Sequence, residues 1–437
     1  MKRRQFVKTV SATGFGLATA GSPLLALRGS PSEKVTVAVM GLNGRGTVLA
    51  RVFAKTPNAE VAYVCDVDTQ VLAKGVTAVS EAQGKAPKGI GDFRRALEDK
   101  AIDALVIAAP DHWHAPAAIL AMSAGKHVYL EKPCGHNARE GELLVEAQRK
   151  HARVVQMGTQ QRSAPRAIEG VHAIGEGLIG QPYLARAWYA NTRATIGRGK
   201  VAPIPTNLDY DLWQGPAPRT PYHDNVIHYN WHWFRRWGTG EICNNGTHEV
   251  DVCRWALGVD RCSRVTSTGG RYHFDDDWEF PDTQETVFEF PGGKTIIWQG
   301  QSCNGLTTYG RSRGTAILGT TGSVVMDRDG YVVYDLENKV LKQSLATQAG
   351  DGLNLSADDD MTALHIQNFV DAIRTGAPLH QPIAEGAKSV LLCHLGNIAQ
   401  RTGRALRVDP ATGHIQGDEA AMAYWQREYA PGWTPTV

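Results

Sequence analysis

The segment from Gly41 to Gly46 has the residue types and spacing of a phosphate-binding turn. It reads Gly-Leu-Asn-Gly-Arg-Gly, follows an apolar run that ends at Met40, and leads into a helical stretch that we expect to begin near Thr47. The free N–H groups and the dipole at the start of such a helix favour a pyrophosphate. Asn43 stands where the dinucleotide-binding fingerprint has its middle glycine, although Gly44 follows and asparagine tolerates a left-handed backbone. The alternative is that these glycines serve only a tight turn.

A carboxylate further along the chain supports the nucleotide-binding interpretation. Asp66 lies 20 residues after Gly46, at the end of the next apolar run. An acid in this position of a nucleotide-binding sheet accepts hydrogen bonds from the adenosine ribose hydroxyls. Its negative charge repels a ribose phosphate, so the sequence favours NAD over NADP as the cofactor. The nearby Asp68 is expected to be a solvated turn residue.

A second group of chemistry-bearing residues lies between Tyr222 and Asp251. Four histidines alternate here with four large aromatic residues: His223, His228, His232 and His248 with Trp231, Trp233, Phe234 and Trp237. Aromatic rings pack against the C–H faces of sugars, and imidazole groups bind their hydroxyls. The sequence therefore predicts a carbohydrate-like ligand, with His228 and Trp233 among its contacts. The alternative is that these aromatic residues are ordinary core residues.

The spacing of two of these histidines also raises the question of a metal. His228 and His232 are four residues apart, which on a helix would bring them together with a carboxylate such as Asp224. The flanking residues contain no H-E-x-x-H motif and none of the other features of a zinc site. We therefore expect no metal.

The elements that must position these residues fall into two classes. From Lys34 to about Val155, short apolar runs alternate with longer helical stretches, which is typical of a parallel sheet with crossover helices. The expected strands are Val35–Met40, Val61–Cys65, Ala104–Ala108 and His127–Leu130. Beyond Gln156, runs with a period of two predict antiparallel strands with one wet face, at Tyr183–Tyr189, Thr283–Phe290 and Thr295–Gln299. The predicted fold class is α/β followed by α+β.

Composition limits the classes of partner. The chain has 437 residues, of which 42% are hydrophobic, and its 46 basic residues nearly balance its 44 acidic ones. This balance predicts no general attraction to nucleic acid or to an anionic membrane. The seven cysteines form no C-x-x-C pair, so we expect mostly buried thiols. Whether one disulfide forms after export is left open, because spacing does not fix connectivity.

The first residues have the pattern of an export signal. Lys2-Arg3-Arg4-Gln5-Phe6-Val7-Lys8 precedes an uncharged, weakly apolar stretch from Val10 to Leu27, which matches a twin-arginine signal. A buried first helix or a membrane anchor is the alternative, but glycines and Pro23 interrupt the stretch. We expect cleavage between Ala20 and Ser30 and a mature protein that is exported already folded, without stable membrane insertion.

Four motifs in order resemble the glucose-fructose oxidoreductase and inositol dehydrogenase family, called Gfo/Idh/MocA. They are the glycine turn, Val64-Cys65-Asp66-Val67-Asp68, Pro110-Asp111-His112-Trp113-His114 and Glu131-Lys132-Pro133. The resemblance implies that Lys132 lies beside the nicotinamide and the substrate hydroxyl, with Glu131 and Pro133 shaping its turn. An ammonium group there can stabilise a developing oxyanion and relay protons; the alternative is a surface lysine in an ion pair. The expected cofactor contacts are Gly41, Asn43, Gly44, Arg45, Asp66, Pro110, His114, Glu131 and Lys132, with His112 a weaker candidate.

The segment from Gly240 to Asp251 resembles the family's second signature. It implies that His248 takes or returns the proton of the substrate hydroxyl, which suits a group whose ordinary pKa lies near neutrality. The chain departs from the family at Asn244, where a carboxylate is customary, and an amide can only orient its neighbours by hydrogen bonding. Arg162, at the crossing into the second domain, is a further candidate substrate contact. The alternative is that Arg162 forms an ion pair between the two domains.

The resemblance also implies the domain organisation. We expect a signal peptide and linker at 1–33, an NAD-binding Rossmann domain at 34–155, a substrate-binding and oligomerisation domain with a large open sheet at 156–408, and a tail at 409–437, which is a possible interface segment. The last helices, Ala363–Ile373 and Gly386–Arg401, are expected to pack back on the Rossmann domain. Relatives commonly assemble through the open sheet, so a homo-oligomer is expected.

Three functions follow from these observations. The first is an NAD-dependent oxidoreductase that acts on a hydroxyl of a sugar, cyclitol or glycoside and holds its cofactor tightly, because free NAD is scarce outside the cytoplasm. The second is an NAD-dependent glycoside hydrolase that acts by transient oxidation and elimination, as some family members do. The third is a non-catalytic sugar-binding protein on the same fold.

Overall fold

The computed structural model describes residues 34–346 and 360–437, so the predicted twin-arginine segment and its cleavage site lie outside the described residues. The first part of the chain forms a parallel sheet of six strands in the order β3-β2-β1-β4-β5-β6. These strands are β1 Val35–Met40, β2 Ala59–Cys65, β3 Lys88–Ile90, β4 Ala104–Ile107, β5 His127–Leu130 and β6 Val155–Met157. The helices between them are α1 Arg45–Lys55, α2 Thr69–Gln83, α3 Arg94–Leu97, α4 Asp111–Ser123 and α5 Ala138–His151.

The central strands are apolar on both faces, because helices cover both sides of this sheet. All four residues of β4 and all four of β5 are buried. The strand order reverses direction between β1 and β4, which is the switch point where open sheets of this type bind ligands. The four predicted strands are confirmed, with β2 starting two residues earlier and β4 ending one residue earlier than predicted.

The second part of the chain forms a larger sheet with ten strands, in which β15-β14-β13-β12-β7-β10-β9-β8-β16 are neighbours and β11 adds to β7. All of its pairings are antiparallel except that of β7 with β10. The strands are β7 Pro182–Thr192, β8 Arg264–Gly270, β9 Thr283–Glu289, β10 Thr295–Gln301, β11 Cys303–Asn304, β12 Arg313–Gly319, β13 Ser323–Met326, β14 Gly330–Tyr334, β15 Val340–Leu345 and β16 Leu406–Arg407. The helices of this part are α6 Pro165–Gly175, α7 Tyr210–Gln214, α8 Gly240–Asn244, α9 Gly246–Leu257, α10 Asp360–Thr375, α11 Ile383–Thr402 and α12 Glu419–Met422.

Two late helices return to the first sheet. Helix α10 places Phe369 edge-on against Phe53 of α1 and Tyr129 of β5, with ring centroids 6.3 and 5.7 Å apart. Helix α11 packs against α5 on one side and against α8, α9 and β8 on the other. The buried apolar side chains of α10 thus lie in the core of the first sheet, and those of α11 are shared between the two parts of the chain.

The residues after β16 also pack on the first part of the chain rather than extending from it. Arg427 donates hydrogen bonds to the Glu140 carboxylate in α5 and, at 2.7 Å, to the His112 carbonyl in α4. Trp433 packs edge-on against Trp113 of α4, with ring centroids 5.0 Å apart. The tail therefore backs the helix that begins at Asp111.

Two simple properties complete the fold. In the part of the chain that the structure describes, no helix combines the length and apolar character that crossing a bilayer requires. All seven cysteines are free in this structure, and all but Cys303 are buried.

Candidate active site

A cavity of about 560 Å³ opens at the carboxyl ends of the first sheet, on the side facing the second. Its wall runs from the glycine turn after β1 and Asp66 after β2, through Pro110 after β4 and Lys132 after β5, to residues of β7, α8, α9 and β12. All nine residues predicted to contact the cofactor line it: Gly41, Asn43, Gly44, Arg45, Asp66, Pro110, His114, Glu131 and Lys132. The predicted catalytic residue His248 and the predicted substrate contact Asn244 line the same cavity.

The glycine turn is built for close approach of backbone. Gly41 has a φ of 83°, and a Cβ there would lie 2.7 Å from the Ala108 carbonyl oxygen. A Cβ at Gly46 would lie 1.6 Å from the Gly41 carbonyl oxygen, so no other residue lets α1 start so near β1. Gly44 has a φ of 67°, and nothing lies within 4 Å of where its Cβ would be. The helix thus presents its N-terminal amides to open space, two residues earlier than the start predicted at Thr47.

The acid after β2 closes the other side of this turn. Asp66 accepts hydrogen bonds from the backbone N–H of Leu42 at 2.7 Å and of Asp68 at 2.9 Å. Burial raises the pKa of the Asp66 carboxyl, and these two N–H groups oppose the rise. Its carboxylate is therefore fixed beside the start of α1, within the cavity.

These residues fit a dinucleotide. The open helix start would receive the pyrophosphate through the amides of residues 43–45, and Asp66 would accept the ribose hydroxyls. The fit does not depend on the motif alone, because the collisions that a Cβ would make at Gly41 and Gly46 show that the turn leaves no room for side chains.

Lys132 is held by a buried set of charges. Burial lowers the pKa of the Lys132 ammonium, and the neighbouring Glu131 and Asp111 carboxylates raise it, with a net decrease. Arg45 forms an ion pair of 2.9 Å with Glu131, which also accepts from the Gln160 side chain. Burial acts to raise the pKa of Glu131, but Arg45 and Lys132 lower it overall. The alternative of a surface lysine is excluded by this environment.

His114 braces the turn that carries Lys132. Its two ring nitrogens lie within hydrogen-bond distance of two carbonyl oxygens, those of Pro133 at 2.5 Å and Ala109 at 2.7 Å. The ring therefore ties the end of β4 to the turn after β5. His112 does not line the cavity; its Nε2 lies 2.9 Å from the Trp213 carbonyl oxygen.

Asn244 joins Lys132 to the second part of the chain. The Lys132 ammonium donates a hydrogen bond of 3.1 Å to Oδ1 of Asn244, at the end of α8. The amide occupies the position where the family resemblance implies a carboxylate, so it orients Lys132 without adding charge. This leaves two ammonium hydrogens for other acceptors.

His248 enters the cavity from the first turn of α9. Burial lowers the pKa of its imidazole well below the ordinary value, and the cations Lys132, Arg328 and Arg313 lower it further. The ring is therefore in its neutral form near pH 7, which is the form that can accept a proton. The two acids beside it are already paired: Glu249 forms a bidentate ion pair with Arg313 at 2.8 and 2.9 Å, and Asp251 binds Arg162.

Sequence reasoning missed the wall formed by the second sheet. Tyr189, Asn191 and Arg193 alternate along β7 and just beyond it, and all three line the cavity. Arg313 of β12 lies directly opposite Tyr189 in the register of the two strands. The alternation around the predicted strand Tyr183–Tyr189 was the available signal, because residues two apart share a face.

The structure corrects two predicted substrate contacts. Arg162 does not line the cavity; its guanidinium forms a bidentate pair with Asp251 at 2.8 and 3.0 Å and lies over the Trp255 ring. Arg162 thus forms an ion pair, as the alternative held, although both partners lie in the second part of the chain rather than in different domains. Trp233 is 1% exposed and stacks on Trp278 with ring centroids 3.8 Å apart, so it is a core residue. The neighbouring Tyr229, Trp231 and His232 line the cavity instead.

His228 lines the cavity at the cofactor end rather than among the predicted substrate contacts. Its Nε2 lies 2.9 Å from Oδ2 of Asp68, and the same oxygen accepts a hydrogen bond from Asn207. Asp68 is also the N-cap of α2 and is 4% exposed, which corrects its prediction as a solvated turn residue. His232 does not join His228 at Asp68: its ring stacks on Trp231, and Nδ1 lies 2.6 Å from the Tyr229 carbonyl oxygen.

One cluster in the described residues has the donor types of a metal site. Ligand atoms of His273, Asp282 and Cys303 lie within 4.8 Å of one another. The Asp282 carboxylate, however, already accepts from the backbone N–H groups of Tyr272 and His273 and from the Thr283 hydroxyl. It is thus engaged in holding the loop before β9.

Comparison with curated proteins finds relatives over parts of the chain. A protein of Saccharopolyspora erythraea named as a glycosyl hydrolase family 109 protein is 30% identical over 202 residues, or 41% of this chain and 43% of its own length. A family 109 protein of Stenotrophomonas maltophilia is 26% identical, over 61% of this chain and 57% of its own. An inositol 2-dehydrogenase of Rubrobacter xylanophilus is 32% identical over 37% of this chain and 45% of its own. The chain thus matches about half the length of these relatives.

Solved structures share the fold over most of the chain. A levoglucosan dehydrogenase in complex with NADH and levoglucosan matches with a TM-score of 0.66 at 19% identity, covering 86% of this chain and 99% of that one. An aldose-aldose oxidoreductase from Caulobacter crescentus, complexed with glycerol, matches with a TM-score of 0.65 at 18% identity, covering 86% and 100%. At these identities the likeness shows the fold.

Two family models match consecutive parts of the sequence. Residues 35–159 match the model of the oxidoreductase family with an NAD-binding Rossmann fold, and residues 187–332 match the model of the same family's C-terminal alpha/beta domain. The first match contains the glycine turn, Asp66 and Lys132, and the second contains His248 and the β7–β12 wall. The chain therefore belongs to the Gfo/Idh/MocA family of oxidoreductases, and its first domain is the family's NAD-binding domain.

Proposed function

We propose that the protein holds NAD tightly and uses it to oxidise or reduce a hydroxyl group of a carbohydrate-like substrate. The observation that carries the proposal is that Lys132 and His248 line one cavity with the glycine turn and Asp66. The remaining wall offers tyrosine, asparagine, histidine and arginine side chains beside aromatic rings, which suits a ligand rich in hydroxyl groups. Relatives named as inositol 2-dehydrogenase and the sugar-binding dehydrogenases among the solved structures support this substrate class.

The proposed mechanism divides the work between the two catalytic residues. Bound NAD would accept a hydride from the substrate carbon. His248, neutral because burial lowers its pKa, takes the hydroxyl proton. Lys132 donates one hydrogen to Asn244 and directs another to the substrate oxygen, where it stabilises the developing negative charge.

The first experiment asks whether the purified protein retains NAD. The protein is dialysed extensively and denatured, and the released nucleotide is identified by mass spectrometry. We expect close to one NAD per chain, followed by formation of NADH when a hexose or cyclitol is added. A chain that releases no nucleotide and binds none in calorimetry would overturn the proposal.

Lys132→Ala tests the assignment of the catalytic residue. We expect turnover to fall by about 10²- to 10³-fold, the usual contribution of a group that stabilises a developing oxyanion, while NAD stays bound. Lys85→Ala, which removes an exposed lysine paired with Glu60, is the control and should keep full activity. Retained activity in Lys132→Ala would remove Lys132 from the site.

A second candidate function is favoured by the curated relatives named as glycosyl hydrolase family 109 proteins. Such a hydrolase would use the same residues in a closed cycle, in which oxidation makes the neighbouring C–H acidic, the glycosidic oxygen is eliminated, and water addition and reduction complete hydrolysis. Incubation with aryl glycosides in deuterated water distinguishes the two functions. Elimination incorporates deuterium at a ring carbon, whereas simple hydride transfer does not.

We propose further that the protein is exported by the twin-arginine route and forms a homo-oligomer through its open sheet. Export of a folded protein with its cofactor inside accounts for tight retention of NAD where free NAD is scarce. Replacing Arg3 and Arg4 by lysines should keep the protein in the cytoplasm. The molar mass of the protein in solution, measured by light scattering, tests the assembly.

A further inference from the structure

Strand β7 and the residue after it place three polar side chains on the cavity wall. Tyr189, Asn191 and Arg193 are two residues apart, so they share the sheet face that looks toward Lys132. Tyr189 is 4% exposed, and its ring lies beneath the Arg313 guanidinium, with 5.4 Å between the guanidinium carbon and the ring centroid. The phenol is thus fixed in position by its neighbours.

The Tyr189 hydroxyl oxygen accepts two hydrogen bonds. Asn191 donates from Nδ2 at 2.7 Å, and Arg193 donates from a terminal guanidinium nitrogen at 3.3 Å. The orientation of the Asn191 amide is set by its other end, because Oδ1 accepts the backbone N–H of Thr192 at 2.7 Å. Arg193 is held from behind by an ion pair of 2.8 Å with Glu241.

Neither neighbour can accept the phenol hydrogen. An amide NH₂ group and a guanidinium are donors only, so both lone pairs of the Tyr189 oxygen are engaged and its O–H must donate elsewhere. Within residues 34–346 and 360–437, no acceptor for this hydrogen is found. Burial, followed by the Glu241 charge, raises the pKa of Tyr189 to about 12, so the hydrogen is present at any working pH.

We infer that Tyr189 is a specificity-determining residue that donates a hydrogen bond to one oxygen of the substrate. A ring oxygen, a glycosidic oxygen, a carbonyl or the oxygen of a hydroxyl satisfies it, and an ammonium group does not. A substrate without an acceptor at that point leaves the phenol hydrogen buried and unpaired, which binding penalises. The inference rests on the proposed function, because it names what the sugar must present.

The test combines Tyr189→Phe with a series of substrate analogues. The hexose that the activity screen selects is compared with its monodeoxy analogues and with the carba analogue, in which CH₂ replaces the ring oxygen. We expect Tyr189→Phe to lower kcat/KM for the parent sugar by about tenfold or more, mainly through KM. For the analogue that lacks the contacted oxygen, Tyr189→Phe should cause no further loss of kcat/KM. That analogue therefore identifies the oxygen that Tyr189 contacts. Equal losses for every analogue would overturn the inference.

A second variant replaces the hydrogen-bond donor beside the phenol, Asn191, by an acceptor. Asn191→Asp puts a carboxylate beside the phenol, which captures its hydrogen, so this variant should lose the same analogue discrimination as Tyr189→Phe. Discrimination that survives in Asn191→Asp would also overturn the inference. Tyr183→Phe is the control, because Tyr183 lies on the same strand but is 46% exposed and does not line the cavity.

Failure of the Tyr189 inference can be distinguished from failure of the proposed function by measuring binding instead of turnover. Dissociation constants of the same sugars are measured by calorimetry on the NADH-loaded protein, so the comparison does not require turnover. Sugars that bind alike to wild type and Tyr189→Phe overturn the inference alone. A wild-type protein that binds NADH but none of the sugars overturns both, whereas a wild-type protein that binds sugars with the expected coupling but does not oxidise them overturns only the proposed function.

Discussion

At the scale of single residues, the pair Lys132 and Asn244 sets the charge of the reaction centre. A carboxylate in place of Asn244 would pair with the ammonium, whereas the amide accepts the same hydrogen bond and stays neutral. The burial that lowers the pKa of Lys132 is therefore only partly offset, by Glu131 and Asp111. Asn244 thus makes the ammonium easier to deprotonate than a carboxylate would.

Asn244→Asp should move the alkaline limb of the kcat profile to higher pH. The working form of Lys132 is the ammonium, which is lost as the pH rises through its pKa, and an added carboxylate raises that pKa. The rate is measured against pH for wild type and variant. Asn304→Asp, which adds the same charge at an exposed position of β11, should leave the limb in place. An alkaline limb that does not move would show that Lys132 does not titrate in it.

At the scale of elements, the start of α1 depends on Gly46 having no side chain. Gly46→Ala puts a Cβ 1.6 Å from the Gly41 carbonyl oxygen, so the turn must move away from the position that receives the pyrophosphate. We expect the Kd for NAD, measured by calorimetry, to rise at least about tenfold, or ~1.4 kcal/mol. Gly175→Ala, at the end of α6 with nothing within 4 Å of the new Cβ, is the control. Unchanged affinity in Gly46→Ala would place the nucleotide elsewhere.

The tail is anchored to helix α5 through a buried ion pair. Arg427 lies 2.9 Å from Glu140, whose side chain is fully buried, so Arg427→Met leaves a carboxylate in the core without its cation. We expect the free energy of unfolding in urea to fall by about 3 kcal/mol. Arg404→Met breaks an ion pair in which the arginine side chain is 52% exposed, and it should cost under about 1 kcal/mol. Similar losses in both variants would contradict a structural role for the buried pair.

At the scale of the whole molecule, the cavity lies between the two sheets, so a ligand in it touches both. NAD that binds only the folded protein stabilises it by about 2.7 kcal/mol when its concentration is about 100 times the Kd. Removal of NAD should therefore lower the Tm, and adding NAD back should restore it in a concentration-dependent way. Calorimetric scans with and without NAD provide the measurement. A Tm that is indifferent to NAD would contradict binding to the folded chain.

The parts of this molecule that could be predicted from sequence are those encoded by neighbouring residues. The turn after β1, Asp66 at the end of β2 and the lysine after β5 each follow an apolar strand directly, and parallel strands bring their ends to one edge. Tyr189 and Arg313 could not be placed together, because they meet only through the pairing of β7 with β12 across more than a hundred residues.

Residue type alone also failed to distinguish residues that line the cavity from residues of the core. Trp231 and Trp233 have the same chemistry, yet one lines the cavity and the other stacks on Trp278 inside the fold. Arg162 had two equal explanations in the sequence, and only the position of Asp251 decided between them. Such choices depend on contacts between distant segments, which local patterns do not contain.

The contact between the tail and α4 has a consequence for the order in which the site matures. The His112 carbonyl and the Arg427 guanidinium that binds it are 315 residues apart in the chain. A nascent chain that has emerged only through the first sheet therefore lacks the backing of the helix that begins at Asp111. We therefore expect the binding cleft to reach its final form only after synthesis has passed Trp433, and stable capture of the dinucleotide to follow translation of nearly all the residues described here.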